Sequence, residues 1–265
     1  MTAFCTLFSG SSGNAAYLGT DRGAVLIDCG MSGCQILSAM ERVGLEPGDV
    51  SAILITHEHS DHIKGAGVVS RKLDLPIYAT EGTWAAMENS LGNVPMRHRV
   101  VIAAGESFFL NDLEIAPFSI PHDAADPVGY RVFTPRTSIA VATDLGYFSS
   151  GVENAVSGAK IVLLESNHDP DMLRQNPHYP ASLKSRILGK KGHLSNESGA
   201  QAAVRLAQSG VRHLLLGHLS GENNTPELAY RVSRQALEEA GAQVGGDVTL
   251  HVAARQQASC LYTMK

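Results

Sequence analysis

A run of three histidines and one aspartate, Thr56-His57-Glu58-His59-Ser60-Asp61-His62, directly follows the apolar residues 52–55. No ordinary packing requirement calls for so many imidazoles in one place. Neutral imidazole and carboxylate are, however, the ligands that zinc and similar divalent cations prefer, and a short turn after a strand lets several of them reach one point. The run therefore predicts a strand that ends at a metal site, with solvated surface histidines as the alternative.

Other apolar segments also end at residues that can bind a metal. The six predicted strand ends of this kind are Asp28, His57, His122, Asp144, Glu165 and His218. A single histidine after a strand is more often structural. Six such endings in one chain indicate that the strand ends meet at one rim and build a shared site.

The candidate ligands are more numerous than the three or four that one catalytic zinc ion needs. We assign them to two ions, with His57, His59 and His122 on the first, Asp61, His62 and His218 on the second, and Asp144 bridging. Two ions about 4 Å apart polarise a substrate oxygen and lower the pKa of a water, so the predicted chemistry is hydrolysis.

Two aspartates have further predicted roles. Asp61 would hold or deprotonate the attacking water, and Asp28 would stand behind the ligands and orient an imidazole. Zinc suits the imidazoles and manganese suits the carboxylates, so the sequence leaves the choice of metal open.

Composition limits the setting of this site. The chain has 265 residues, is 44% apolar, and carries a net charge of −5, which does not favour a nucleic-acid partner; bound cations would add positive charge that this sum omits. It shows no signal peptide and no apolar run of about 18 residues, which predicts a cytoplasmic chain without a membrane segment. Cys5, Cys29, Cys34 and Cys260 form no CxxC pair and are predicted to be reduced and buried.

Strand and helix patterns alternate along the whole chain, without a repeat or a linker, which predicts one domain over residues 1–265. A hairpin-like pair of strands within residues 107–120 argues against an all-parallel sheet. We therefore predict an α/β chain with two mixed sheets and helices outside them.

The pattern His57-x-His59-x-Asp61-His62, followed by His122, Asp144 and His218 and preceded by Asp28, resembles the signature of the metallo-β-lactamase fold superfamily. The resemblance extends over almost the whole chain. It implies an α/β (α+β) fold in four layers, an αβ/βα sandwich of two mixed sheets flanked by helices, with a dinuclear metal site on its rim.

Six segments together look like the YycJ (WalJ) branch of that superfamily: residues 9–14, 56–65, 122–130, 143–146, 165–169 and 192–196. This resemblance implies 5′→3′ exonuclease activity on DNA. Glu165 and His193 also resemble an acid–histidine pair of nucleolytic members such as ribonuclease Z, in which the imidazole supplies a proton to the leaving oxygen. The alternative for His193 is a backbone contact at a helix start.

Substrate contacts are predicted around this pair. Asn167 and His168 would line the cleft. The basic residues that flank His193 would bind phosphates or lie on a solvated helix face; they are Lys184, Arg186, Lys190 and Lys191. The intervals between His122, Asp144 and His218 are too short for the tRNA-binding arm of ribonuclease Z or the inserted domain of β-CASP nucleases.

Two alternatives to a DNA exonuclease remain. One is a hydrolase of a small phosphodiester or thioester, which the acidic net charge favours. The other is a non-catalytic sensor whose metals only hold the fold, which Asp61 argues against. The sequence leaves the oligomeric state open.

Overall fold

The structure, a computed structural model, describes residues 1–259 and 261–264. Within these residues the strands form two seven-stranded sheets. The first sheet contains β1 Thr2–Phe8, β2 Ala15–Thr20, β3 Gly23–Ile27, β4 Val50–Leu54, β5 Ile77–Thr80, β6 Arg99–Ile102 and β14 Tyr262–Met264. The second contains β7 Phe108–Leu110, β8 Leu113–Ser119, β9 Val128–Phe133, β10 Ser138–Ala142, β11 Ile161–Glu165, β12 His213–Gly217 and β13 Thr249–Val252.

The helices pack outside the sheets or occupy the connections. In chain order they are α1 Gly33–Arg42, α2 Ser60–Ile63, α3 Ala66–Leu73, α4 Glu81–Met87, α5 Ser150–Val156, α6 Pro170–Gln175, α7 Ala181–Ile187, α8 Asn196–Gln208 and α9 Pro226–Glu239. Within the described residues, no helix has the combination of length and apolar character that crossing a bilayer requires.

Both sheets are mixed. In the first, β14, β1, β2 and β3 are antiparallel neighbours, whereas β3 to β6 run parallel. In the second, β7 to β10 are antiparallel and β10 to β13 parallel. Because parallel strands point the same way, the residues that follow them gather at one edge of each sheet.

Alternating side chains of each strand build three apolar layers. Ile27 of β3 faces the second sheet and belongs to the same buried cluster as Val141 of β10. Leu26, its neighbour, faces outward and packs with Ile36 of α1. On the outer face of the second sheet, Leu206 of α8 lies in the third cluster. The chain is therefore a four-layer sandwich, which confirms the predicted fold class.

The structure also contains elements that the sequence pattern did not predict. Helices α5 and α6 and strand β14 have seven, six and three residues, too few to show a periodic pattern. Cys5 and Cys29 are buried as expected, but Cys34 is exposed because α1 turns this position towards solvent. Cys260 lies outside the described residues, and the single domain and the cytoplasmic location stay predictions.

Candidate metal centre

The histidine run begins at the rim where the two sheets meet. The carbonyl oxygen of Thr56 accepts a 2.9 Å hydrogen bond from the amide of Val128 at the start of β9, which joins the end of the first sheet to the second. Helix α2 is a single turn, and His62 N donates to His59 O at 2.9 Å. This tight turn brings His59, Asp61 and His62, which follow closely in sequence, next to His57 in space.

Three further residues of the rim adopt the left-handed backbone conformation. Asp28, Asp144 and His218 have φ values of 62°, 59° and 57°, and they follow β3, β10 and β12 by one or two residues. This conformation is uncommon outside glycine, costs on the order of 1 kcal/mol each, and clusters at functional sites. Each strand therefore ends in a sharp turn that carries a polar side chain.

His57, His59 and His122 form the first group of candidate ligands. Nε2 of His57 lies 3.1 Å from Nδ1 of His59, which lies 3.3 Å from Nε2 of His122. The ligand atoms of the three residues all lie within 4.8 Å of one another. The structure thus brings together the three imidazoles that the sequence assigns to one ion.

Asp61, His62 and His218 form the second group, also within 4.8 Å. Oδ2 of Asp61 lies 3.5 Å from Nε2 of His62 and 3.5 Å from Nε2 of His218. The spacing is too long for strong direct hydrogen bonds and leaves room for an ion among the three atoms.

Asp144 lies between the two groups. Its Oδ1 atom is 3.7 Å from Nε2 of His122 in the first group and 3.4 Å from Nε2 of His218 in the second. Its Oδ2 atom lies 3.4 Å from Nε2 of His62 and is buried without a hydrogen-bond partner in the described part of the chain. Asp144 is thus positioned between both sets, where the sequence places the bridge.

The far nitrogens of these imidazoles have partners. Nδ1 of His62 donates to Asp28 at 2.8 Å, and Nδ1 of His57 lies 3.0 Å from the hydroxyl of Thr56. Nδ1 of His122 lies 3.2 Å from the carbonyl oxygen of Gly192. Such contacts fix the tautomer in which Nε2 can accept a hydrogen bond or bind a metal. Nε2 of His62 lies 3.1 Å from the side-chain nitrogen of Asn14, which a metal at this position would displace.

The electrostatics divide the histidines into two kinds. Burial lowers the pKa of His57 well below its usual value and lowers that of His122, which favours the neutral form that metal ligands need. Burial also opposes a charge on His62 and His218, but the neighbouring carboxylates, Asp144 first among them, together outweigh it. The pKa of His62 is therefore well above its usual value, and that of His218 is raised to about 10. These two rings would lose their protons on binding a metal.

His193 and Glu165 lie directly beside the groups. Glu165 is fully buried, and its Oε1 atom accepts hydrogen bonds from Nδ1 of His193 at 2.8 Å and Nδ1 of His218 at 3.0 Å. Its Oε2 atom accepts from the amides of Leu145 and Leu194. Burial opposes ionisation, but His193 and His218 together outweigh it and lower the pKa of Glu165 to about 2. One carboxylate therefore orients both imidazoles.

A cavity of about 420 Å³ lies beside the site, and His59, Asp61, Asp144, His193 and His218 line it. Of the predicted substrate contacts, Asn167 and Arg186 also line it. Within the described residues, the structure does not bring His168, Lys184, Lys190 or Lys191 to this wall.

The geometry of α7 and its neighbours explains the difference. Leu183, Arg186 and Ile187 line the cavity, and their i, i+3, i+4 spacing places them on one helix face. Lys184 falls on another face and donates to the carbonyl of Arg174, while His168 is buried. Contacts of the lysines with a longer nucleic acid stay a prediction.

Thr56, Asp123 and Tyr179 are among the residues of the site that were not predicted from the sequence. Thr56 contacts Asp28 and His57, and its position directly before the histidine run is the one signal that could have indicated it. Asp123 and Tyr179 line the cavity. Asp123 directly follows His122, but nothing in the sequence pairs it with a distant residue.

Gly30 allows the close packing that holds Asp61. The amide of Cys29 donates to His62 O at 2.7 Å, and the amide of Asn14 donates to Asp61 O at 2.8 Å. A Cβ atom at Gly30 would lie 1.7 Å from the carbonyl oxygen of Asp61.

We expect Gly30→Ala to lower the free energy of unfolding by about 3 kcal/mol or more, measured by urea denaturation. Gly48→Ala, in open space, is the control and should change it by less than about 1 kcal/mol. Equal effects of the two changes would contradict this account.

Comparison with known proteins gives consistent relatives. A family model described as "Beta-lactamase superfamily domain" matches residues 24–219. The chain is 43% identical over 248 residues to the exodeoxyribonuclease YycJ of Bacillus anthracis, with 94% of each chain covered. It is 42% identical over 250 residues to the exodeoxyribonuclease WalJ of Streptococcus pneumoniae (strain ATCC BAA-255 / R6), covering 94% of this chain and 93% of the relative.

Solved structures share the fold at lower identity. The Zn(2+)-bound PqqB of Methylobacterium extorquens superimposes with a TM-score of 0.75 at 17% identity, covering 97% of this chain and 99% of that one. The metallo-beta-lactamase fold protein YhfI of Bacillus subtilis gives a TM-score of 0.71 at 14% identity, covering 99% and 100%. These similarities establish the architecture.

Proposed function

The chain belongs to the metallo-β-lactamase superfamily, in its YycJ-like branch, and from this we propose that it is a dinuclear metal-dependent exonuclease that degrades DNA in the 5′→3′ direction. The observation that carries the proposal is the meeting of two ligand groups on either side of Asp144. The names of the YycJ and WalJ relatives support DNA as the substrate.

The residues present suit a pair of divalent cations. The buried Oδ2 atom of Asp144, which has no partner among the described residues, would be costly to bury unless a cation or a water satisfied it. In the proposed assignment, His57, His59 and His122 would hold one ion, Asp61, His62 and His218 would hold the other, and Asp144 would contribute to both. Bound ions of this kind polarise a phosphoryl oxygen and lower the pKa of a water. The all-imidazole group favours zinc, and the carboxylates allow manganese.

Asp61 and His193 perform different tasks in the proposed reaction. Burial opposes ionisation of Asp61, but His62 and His218 outweigh it and hold its pKa far below the usual carboxyl range. Asp61 is therefore a weak base, suited to accept a hydrogen bond from the attacking water and orient it. Burial opposes a charge on His193, but Glu165 and Asp144 together outweigh it and raise the pKa of His193. The raised pKa favours the protonated ring, which can supply a proton to the leaving oxygen.

A labelling experiment tests activity and polarity together. Purified protein with zinc or manganese is incubated with single- and double-stranded DNA, labelled at either the 5′ or the 3′ end, and with RNA of the same sequence. We expect a 5′ label to be released at once in a short product, while a 3′ label persists in a ladder of shortening strands. Asp61→Ala should remove cleavage, because it deletes both a ligand and the group that orients water.

The alternatives give different results. Cleavage of bis(p-nitrophenyl) phosphate without cleavage of DNA or RNA would support a small-substrate hydrolase instead. Immediate release of the 3′ label would reverse the proposed polarity. Bound metal without hydrolysis of any of these substrates would support the non-catalytic sensor.

A further inference from the structure

Arg186 brings a permanent positive charge to a cavity that is otherwise acidic. Among the described residues that line this cavity, Arg186 is the one lysine or arginine, whereas Asp61, Asp123 and Asp144 supply three carboxylates. Two bound cations would offset Asp61 and Asp144 and would take up the scissile phosphate, whereas Asp123 pairs with Arg186. Arg186 is therefore the remaining cationic group that could contact another anionic group of the substrate.

One ion pair orients the side chain of Arg186, and other hydrogen-bond donors of its guanidinium remain. Its Nε atom forms an ion pair with Oδ2 of Asp123, which follows the candidate ligand His122. Among the described residues, no hydrogen bond engages its terminal Nη atoms, and the side chain is 58% exposed. Since a guanidinium carries five N–H donors in a rigid plane, an arginine held through Nε still presents the donors that bind a phosphate.

The backbone places Arg186 on the side of the site where the leaving group departs. His193, the proposed acid, donates its amide to the carbonyl oxygen of Ile187 at 3.0 Å. The residue next to Arg186 is thus hydrogen-bonded to the residue that protonates the leaving oxygen. A nucleotide that leaves past His193 would therefore pass close to the end of α7.

We propose that Arg186 binds the terminal 5′ phosphate of the DNA, so that the enzyme prefers 5′-phosphorylated ends; this inference rests on the proposed function. In each cut the oxygen of a water bonds to phosphorus and the P–O3′ bond breaks. The electron pair stays on O3′, which takes a proton from His193, and the proton lost by the water passes to solvent. The released nucleotide carries O3′ and the old terminal phosphate, and the shortened strand carries a new 5′ phosphate. Every cut therefore regenerates the preferred end.

Two strands that differ only in their 5′ end test the inference. In single-turnover cleavage, the first cut of the 5′-phosphorylated strand should be about 10- to 100-fold faster than that of the 5′-hydroxyl strand, the effect of a charged hydrogen-bonded contact. Later cuts should proceed at the same rate on both, so the 5′-hydroxyl strand shows a lag. In Arg186→Gln the ratio for the first cut should fall towards unity. Because the ratio compares the first-cut rates of two DNA strands measured with the same protein variant, a general loss of activity lowers both rates equally and leaves the ratio unchanged.

Matched variants and a binding measurement complete the design. Arg186→Lys should keep part of the ratio, and Arg234→Gln, on the exposed face of α9, should keep all of it. Fluorescence anisotropy with Asp61→Ala measures the same preference without cleavage. DNA cutting with equal first rates on both ends would overturn the inference and leave the exonuclease standing. An Arg186-dependent binding preference in a protein that cuts no DNA would overturn the function and keep the phosphate site. An unchanged ratio in Arg186→Gln would also overturn the inference.

Discussion

Replacing Asp144 with asparagine is expected to slow DNA cleavage by about 10³-fold or more and to lower the bound metal from two ions per chain towards one. The carboxylate lies within 3.7 Å of imidazoles from both ligand groups, so its negative charge is shared. Asparagine keeps the shape and tolerates the left-handed backbone of this position. The substitution therefore removes the negative charge of the side chain without disturbing the fold.

Elemental analysis after dialysis, combined with the DNA cleavage rate, measures both effects. Asp21→Asn, an exposed aspartate at the amino-terminal end of the chain, is the control and should keep both the metal and the rate. A variant at position 144 that retains two ions and the full rate would show that Asp144 is not a shared ligand.

Replacing His193 with alanine is expected to slow DNA cleavage by about 10² to 10⁴-fold while leaving the metal content unchanged. The imidazole is not among the proposed ligands, although it also lies within 4.8 Å of Asp144, Glu165 and His218. It is hydrogen-bonded to Glu165 at 2.8 Å, which is the arrangement of an oriented proton donor. The loss should depend on the leaving group. A nucleotide ester of p-nitrophenol needs little protonation as it departs, so His193→Ala should slow its hydrolysis far less.

Comparing the two substrates separates proton donation from a structural role. His251→Ala, an exposed histidine on β13, should not change either rate. An equal loss on DNA and on the p-nitrophenyl ester would contradict the acid role, since a general disturbance of the site would affect both. Retention of the full rate on DNA would remove His193 from the mechanism.

The ligand set could be predicted from the sequence because residues that can bind a metal stand directly after apolar strands. Asp28, Asp144 and His218 each follow a buried apolar strand, and the parallel arrangement of those strands carries their ends to one rim. The histidine run is local and needs no tertiary information. The fold class followed from the same alternation of apolar strands and helices, together with the resemblance.

Other features of the site depend on contacts that a sequence does not display. Arg186 and Asp123 are 63 positions apart, and neither residue type indicates the other. The cavity-facing side of α7 was also unpredictable, because a seven-residue helix with no buried residue shows no apolar stripe. That is why the sequence could not distinguish Arg186, which lines the cavity, from the neighbouring lysines, which do not.

The lack of any buried side chain in α7 bears on how relatives of this protein can diverge. Leu183, Arg186 and Ile187 shape one side of the cavity, yet none of them supports the apolar layers or supplies a proposed metal ligand. Substitutions on this helix therefore change which substrates bind in the cavity, with little loss of folding stability. New specificities can arise there by single mutations while the hydrolytic apparatus is inherited intact.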